Sequence, residues 1–225
     1  MKFTWWKILA ILLLLYTVIG GFLMDVPRLT QLQESIRNQF FHVPMWFSMI
    51  LLLIGSVGYA IAFLRTSNLK YDIIAAGLAN TAIVLGVLGL LTGIIWMKFT
   101  WISKAGVWWV NDPKLNCTVI GMLIYLAYFI LRGSLDDPFQ KARISSVYNI
   151  FAFATLIPLL FVLPRLTDSL HPGNGGNPGF NAYDMDNKLR MIFYPAVLGF
   201  TLLGVWISSL WSRLVFLKQK MYENS

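Results

Sequence analysis

The chain has 225 residues, of which 57% are hydrophobic and 12% are charged, and its formal net charge is +8. An ordinary soluble domain carries about twice this fraction of charged residues. The composition therefore excludes a typical water-soluble globular domain and predicts a membrane protein.

Six apolar stretches follow one another along the chain. Crossing a hydrocarbon core of about 30 Å takes roughly 20 apolar residues in a helix, and each stretch approaches or meets that length. Because the stretches are continuously apolar rather than alternating, they predict helices and not the strands of a barrel. We predict an all-α membrane protein, a bundle of six transmembrane helices in one domain covering residues 1–225. The predicted spans lie at about 8–24, 45–64, 73–97, 118–131, 147–163 and 191–212.

The distribution of positive charge predicts the orientation. Lysine and arginine are denser at the N-terminus, in the loops around Arg65 and Arg132 and in the C-terminal tail than in the other three loops. By the positive-inside rule this bias places both termini in the cytoplasm. Loops 25–44, 98–117 and 164–190 would then face the periplasm from a bacterial inner membrane.

Every charged residue of the chain lies outside the six apolar stretches. Proton-coupled carriers and ion pumps normally need an ionisable group within the bilayer, so this pattern does not favour a pump. Asn80 and Thr81 form the most polar pair within a span. They predict a hydrogen bond between neighbouring helices.

The three loops on the predicted periplasmic side hold both histidines of the chain and its densest cluster of tryptophans. His42 lies in the first loop, the stretch "WISKAGVWWVND" (101–112) in the second and His171 in the third. Tryptophan at a membrane boundary is ordinarily an interfacial anchor, and this reading stays open for the stretch. Two histidines beside one aromatic surface favour a ligand-binding site instead.

The local sequence predicts different settings for the two histidines. In "FFHVPMW", Pro44 suits a first helical turn, which places His42 immediately before the second span. The positive end of that helix disfavours imidazolium, and neutral imidazole is the form that ligates a metal. His171 precedes a loop rich in glycine and proline, which suits a tightly turned lid. Asp168 either orients the His171 ring or is a solvated turn residue.

Two histidines are too few for a closed zinc site, but they match the two axial positions of a heme iron. Indoles would suit a flat porphyrin, because each offers a large apolar face and one N–H donor. The heme propionates would need cations, and Arg37, Lys104 and Lys114 lie in the same loops. The alternative for each cation is contact with lipid phosphate.

Other motifs limit the chemistry of the chain. The single cysteine, Cys117, excludes an internal disulfide, and no C-x-x-C-H motif is present to attach heme covalently. Without a Walker-type loop, any ATP hydrolysis would belong to a partner. We therefore predict a protein that binds and releases a ligand and is not an enzyme. The alternatives are a permease subunit of a membrane transporter and a membrane enzyme with a non-heme metal.

Four stretches resemble a known family: "RNQFFHVP" (37–44), "TGIIWMKFTW" (92–101), "GVWWVNDPKL" (106–115) and "SLHPG" (169–173). They are similar to the CcmC family of bacterial cytochrome c maturation, part of a wider group marked by a tryptophan-rich "WWD" segment. The resemblance covers nearly the whole chain. Two features depart from the family pattern: Asn111 stands where a further tryptophan is usual, and the run from Trp101 to Trp108 is a few residues longer. "NDPK" is also similar to the CcsA-type proteins of the other cytochrome c assembly system, which is an alternative assignment.

The resemblance implies a periplasmic site that binds heme b non-covalently and transiently during c-type cytochrome biogenesis. It implies that His42 and His171 are the axial ligands of the iron, with Arg37 and Lys114 at basic positions of the motifs. The implied heme platform consists of Trp101, Trp108, Trp109 and Asp112. The implied partners, besides membrane lipid, are the ABC transporter subunits CcmA and CcmB, the small subunit CcmD and the heme chaperone CcmE, with no nucleic acid.

Overall fold

The computed structural model describes residues 5–28, 32–101, 107–171 and 185–223. Within these ranges the chain is helical and has no β-strand. All six long helices have the length and composition to cross a membrane, which confirms the predicted all-α fold. The helices are α1 (Trp5–Leu23), α2 (Gln39–Thr66), α3 (Leu69–Thr100), α4 (Pro113–Gly133), α5 (Pro138–Phe161) and α6 (Asn187–Glu223), with 3₁₀ turns at Gln33–Asn38 and Leu163–Arg165.

Capping residues determine several helix ends. Asp112 and Asp137 accept backbone hydrogen bonds at the starts of α4 and α5, and a proline follows each of them at the first helical position. Asn68 caps α3 in the same way, directly after Ser67 ends α2 in the left-handed conformation. Each of the six helices begins before the apolar stretch that predicted it. Polar residues are accommodated at these helix ends because the ends lie outside the hydrocarbon.

The start of the second helix corrects the sequence-based expectation. α2 begins at Gln39, so His42 lies within the helix rather than before it, and Pro44 lies inside the helix rather than in its first turn. A 3₁₀ turn leads directly into α2, and its Ile36 is buried together with Phe40 against side chains of α6. This packing stabilises helical backbone ahead of Pro44, although the proline lacks the N–H of a regular helix.

α2 occupies the centre of the bundle, where it packs against α3, α5 and α6. α1 packs on α6, and α4 packs mainly on α5. Because the helices alternate in direction, the α1–α2, α3–α4 and α5–α6 connections meet at one end of the bundle, which we call the histidine end. The short α2–α3 and α4–α5 turns form the opposite end.

Several polar side chains inside the bundle are paired across helices. Ser208 Oγ of α6 donates to Thr81 Oγ1 of α3 at 2.9 Å, and Asn149 Nδ2 of α5 donates to Ser56 Oγ of α2 at 2.8 Å. The Thr81 contact confirms the interhelical hydrogen bond predicted for that position. Such bonds join helices within lipid, where burial of apolar surface provides little driving force.

A buried ion pair joins α3 and α4 at the opposite end. Arg132 donates from Nη1 to Asp72 Oδ1 at 2.7 Å and from Nη2 to Asp72 Oδ2 at 2.6 Å. The Asp72 side chain is 8% exposed and that of Arg132 is 17% exposed. Both residues lie outside the apolar stretches, but the longer helices bring them into the packed bundle.

Candidate functional site

A cavity at the histidine end lies between α2, α3, α4 and α5, and both histidines of the chain line it. Most of its wall is apolar, and several of its side chains are aromatic. The aromatic lining residues are Trp46, Phe47, Trp96, Trp101 and Phe161, and the charged or polar ones are His42, Thr100, Lys114, Thr118, Arg165 and His171.

His42 is held by α3 in a defined orientation. Its side chain is 7% exposed, and its Nδ1 lies 2.9 Å from the Gly89 carbonyl oxygen and 3.1 Å from Thr92 Oγ1. A carbonyl oxygen can only accept, so Nδ1 carries the hydrogen. Nε2 has no hydrogen-bond partner in the described part of the chain. In the neutral ring its lone pair is therefore available to a metal, as in metal sites where a backbone carbonyl sets the tautomer.

The space around the His42 ring is closed by one glycine and two tryptophans. A Cβ at Gly93 would lie 2.7 Å from His42 Cε1, so only glycine lets the imidazole pack this closely on α3. The rings of Trp46 and Trp96 meet the imidazole edge to face, with centroid distances of 6.3 and 5.9 Å. Trp96 is itself held by a hydrogen bond from Nε1 to Ser35 Oγ at 3.0 Å.

His171 reaches the same cavity from the segment that follows α5. Its ring lies edge to face with Trp101 at a centroid distance of 6.0 Å, and its backbone N–H donates to Ser169 Oγ at 3.1 Å. Asp168, for which the sequence left open an orienting carboxylate or a solvated turn residue, is exposed. The glycine-rich loop predicted as a lid falls almost entirely outside the described residues.

Asp112 connects the start of α4 to the His171 segment. Its carboxylate, directly before Pro113, caps α4 by accepting from Lys114 N and Leu115 N. It also accepts from Ser169 Oγ at 3.1 Å and from Leu170 N at 2.8 Å. The carboxylate is thus an acceptor for four donors and does not line the described wall of the cavity.

The paired tryptophans of the "WWD" segment lie away from the cavity. Trp108 is 70% exposed, with Lys98 Nζ 5.1 Å from its ring centroid. Trp109 is 39% exposed and donates from Nε1 to Asn116 Oδ1 at 3.2 Å. Asn116 in turn donates to Asn111 Oδ1 at 2.7 Å, so Asn111 belongs to a polar link outside the cavity. Of the three tryptophans predicted for a heme platform, the structure places Trp101 on the cavity wall.

The predicted cations separate in the structure. Arg37 does not line the described cavity wall, because its Nη1 donates to the Gly21 and Met24 carbonyl oxygens at the end of α1, at 2.9 and 2.7 Å. Lys114 does line the cavity, together with Arg165. Lys104 falls outside the described residues.

Sequence reasoning missed four residues that shape the site, namely Trp46, Gly93, Trp96 and Arg165. For three of them the sequence contains a helical spacing. Trp46 follows His42 by one turn of α2, so both side chains share a helix face. Gly93 and Trp96 also lie on one face of α3, three residues apart. That face can be related to His42 only through the packing of α3 on α2.

The fold and the cavity define a class of protein: a six-helix membrane protein with a ligand cavity lined by two histidines, two cationic residues and several aromatic rings. The chain matches the family model of CcmC, described as heme exporter protein C, over residues 1–225. It belongs to that family.

Relatives named heme exporter protein C are similar to this chain along much of its length. The Bradyrhizobium diazoefficiens protein is 27% identical over 173 residues, which cover 76% of this chain and 63% of the relative. The Rhodobacter capsulatus protein is 25% identical over 75% of this chain and 68% of its own length. The Escherichia coli K12 protein is 24% identical over 96% of this chain and 84% of its own length. The match therefore spans less than two thirds of the Bradyrhizobium relative.

Proposed function

We propose that this protein binds heme in the cavity at the histidine end and passes it on during c-type cytochrome maturation. The observation that carries the proposal is that the two histidines of the chain, far apart in sequence, line one aromatic cavity. Membership of the heme exporter protein C family supports heme as the ligand. Heme is then cargo, held by reversible coordinate bonds, and no covalent step is assigned to this chain.

In this proposal His42 and His171 are the axial ligands of the iron. The Nδ1 contact of His42 with the Gly89 carbonyl supports Nε2 as its metal-binding atom. The indole rings of Trp46, Trp96 and Trp101 provide apolar contact for the porphyrin. This assigns the platform to tryptophans from α2 and α3 and leaves Trp108 and Trp109 at the surface.

Lys114 and Arg165 are the cations that we assign to the heme propionates. Both line the cavity that His171 also reaches, and a charge-assisted contact with a carboxylate is stronger than a neutral hydrogen bond. Arg37 instead has a positioning role, because it holds the end of α1 against the turn that precedes α2.

The proposal also covers the orientation of the chain in the membrane and the proteins with which it assembles. The uneven distribution of Lys and Arg supports cytoplasmic termini, so the histidine end would face the periplasm of a bacterial inner membrane. A site at that face could deliver heme to a periplasmic chaperone such as CcmE. The family relationship supports assembly with the transporter subunits CcmA and CcmB and with CcmD.

The test of this function is the absorption spectrum of the purified full chain after addition of hemin, without any partner. We expect one heme per chain and a low-spin, six-coordinate spectrum in both oxidation states. A permease that only conducts heme would not retain a stoichiometric bis-histidine complex. If hemin binds only weakly and without axial histidine signatures, the proposed function is wrong.

Replacing Gly93 with alanine is expected to lower heme binding at least several-fold. The new methyl group would overlap with His42 Cε1, so the imidazole would have to shift, which disturbs its hydrogen bond to the Gly89 carbonyl. The measurement is the heme-to-protein ratio with the spectrum of the bound fraction. Gly58→Ala is the matched control, because it lies in a membrane helix with nothing within 4 Å of an added Cβ. An unchanged ratio in both variants would contradict the placement of His42.

The tryptophans are expected to differ when each is replaced by alanine. Trp101→Ala should lower the heme-to-protein ratio, because its ring lines the cavity beside His171. Trp108→Ala and Trp109→Ala should leave that ratio close to the wild-type value, because both rings lie outside the cavity. Heme content and membrane abundance are measured for each variant. If Trp108→Ala lowers the ratio as much as Trp101→Ala at equal abundance, the assigned platform is wrong.

A further inference from the structure

We infer that Asp112 is a positioning residue that holds the His171 segment in place, and that it links the second axial ligand to the tryptophan-rich segment. The inference rests on the proposed function for its consequence at the heme iron. The hydrogen bonds of Asp112 that carry the inference do not involve heme. It gives Asp112 a role different from direct contact with the porphyrin.

Both carboxylate oxygens of Asp112 take part in the link. Oδ1 caps α4 by accepting from Lys114 N at 2.9 Å and Leu115 N at 3.3 Å, and it also accepts from Ser169 Oγ at 3.1 Å. Oδ2 accepts from Leu170 N at 2.8 Å. Ser169 Oγ accepts in turn from the backbone N–H of His171 at 3.1 Å. The backbone of His171 is therefore connected to Asp112 through one hydroxyl group.

Because Asp112 is buried, the link depends on the charge of its side chain and on the number of its acceptor oxygens. Asp112 is 2% exposed, so its carboxylate is stabilised by these four protein donors in place of water. Hydrogen bonds to a buried charged group contribute more than neutral ones, and a donor left without its acceptor is costly. An amide in place of the carboxylate has one acceptor oxygen. That oxygen can accept from the backbone N–H groups of α4 or from the N–H of Leu170, but not from both.

The hydrogen bonds of Asp112 affect the two histidines differently. The ring of His42 is oriented by Gly89 and Thr92 of α3. His171 is connected by hydrogen bonds to Asp112, and Asp112 directly follows the segment that carries Trp108 and Trp109. A displacement of that segment large enough to move Asp112 would release Ser169 and Leu170. His171 would then leave the iron while His42 stayed bound, which suits a carrier that must let go of its cargo.

The first experiment measures the link without heme. Amide hydrogen exchange of the peptide containing Leu170 and His171 is followed in the purified full chain for wild type, Asp112→Asn and Ser169→Ala. We expect exchange at least about 10-fold faster in Asp112→Asn and a smaller increase in Ser169→Ala. Asp137→Asn is the matched control, because it makes the same change at a helix N-cap at the opposite end and should leave this peptide unchanged. Equal exchange in wild type and Asp112→Asn overturns the inference.

The second experiment measures the consequence at the iron. With hemin added, Asp112→Asn should keep heme through His42 but show a raised high-spin fraction, and millimolar imidazole should restore the six-coordinate spectrum. His171→Ala should behave in the same way. Heme loss in Asp112→Asn that imidazole does not reverse would mean that Asp112 affects heme binding other than through His171, and a fully six-coordinate spectrum would mean that it does not position His171. Both results overturn the inference. Failure of the wild type to bind hemin refutes the proposed function instead, and hydrogen exchange then decides the link.

Discussion

Replacing His42 with alanine is expected to remove most of the bound heme, whereas replacing His171 should leave a protein that still binds heme through one ligand. His42 lies in a helix, is nearly fully buried and has its ring oriented by α3, so it is already arranged for the iron. His171 lies outside the helices, in a segment whose ordering costs conformational entropy. The rigid ligand should therefore contribute more to retention and the other ligand more to release.

The measurement is the heme-to-protein ratio of each variant together with the rate of heme transfer to an acceptor such as apomyoglobin. We expect at least a 10-fold loss of affinity in His42→Ala, and in His171→Ala a smaller loss with faster transfer. His42→Ala should still fold, because the Thr92 hydroxyl also donates to the Gly89 carbonyl that His42 would vacate. Membrane abundance is the control. If both variants retain heme fully, neither histidine is a ligand.

Replacing Arg132 with leucine is expected to destabilise the protein by about 3–5 kcal/mol, because it leaves the Asp72 carboxylate buried without its partner. The two guanidinium contacts of 2.7 and 2.6 Å are lost together. The pair lies at the end of the bundle opposite the cavity. Chains that do fold should therefore bind heme at the wild-type ratio, which separates a stability effect from an effect on the site.

The measurement is the midpoint of thermal unfolding in detergent, with membrane abundance as a second readout. The double variant Asp72→Asn with Arg132→Gln should recover part of the loss, since it removes both charges and keeps polar groups that can pair. Glu34→Gln is the control for an exposed ion pair, and it should change the midpoint little. A midpoint in Arg132→Leu equal to that of Glu34→Gln would contradict an important role for the buried pair.

The number and type of the helices could be predicted because hydropathy is a local property. In a bilayer each apolar stretch must satisfy its own backbone, so about 20 such residues become a helix whatever surrounds them. The alternation of six helices then brings both histidines to one end. Asp112 before Pro113 was predictable as a helix start, because a cap depends on residues adjacent in the chain.

The composition of the cavity wall was not predictable in the same way. Which face a helix turns inward depends on its rotation against its neighbours, and apolar residues are distributed almost evenly around α2 and α3. Trp46 and Trp96 therefore lie beside His42, whereas Trp108, which the motif favoured, lies at the surface. Arg37 was predicted for the heme, but the carbonyl oxygens at the end of α1 hold its guanidinium.

Local sequence was enough to predict a membrane protein, its six helices and the shared end of His42 and His171, because each follows from apolar length or chain alternation. Two arrangements come from helix packing instead: His42 lies inside α2 with Nδ1 on the Gly89 carbonyl, and Asp112 accepts hydrogen bonds from the segment of His171. These arrangements depend on contacts between residues about 50 positions apart or more. Packing of whole helices creates such contacts, and no local pattern encodes them.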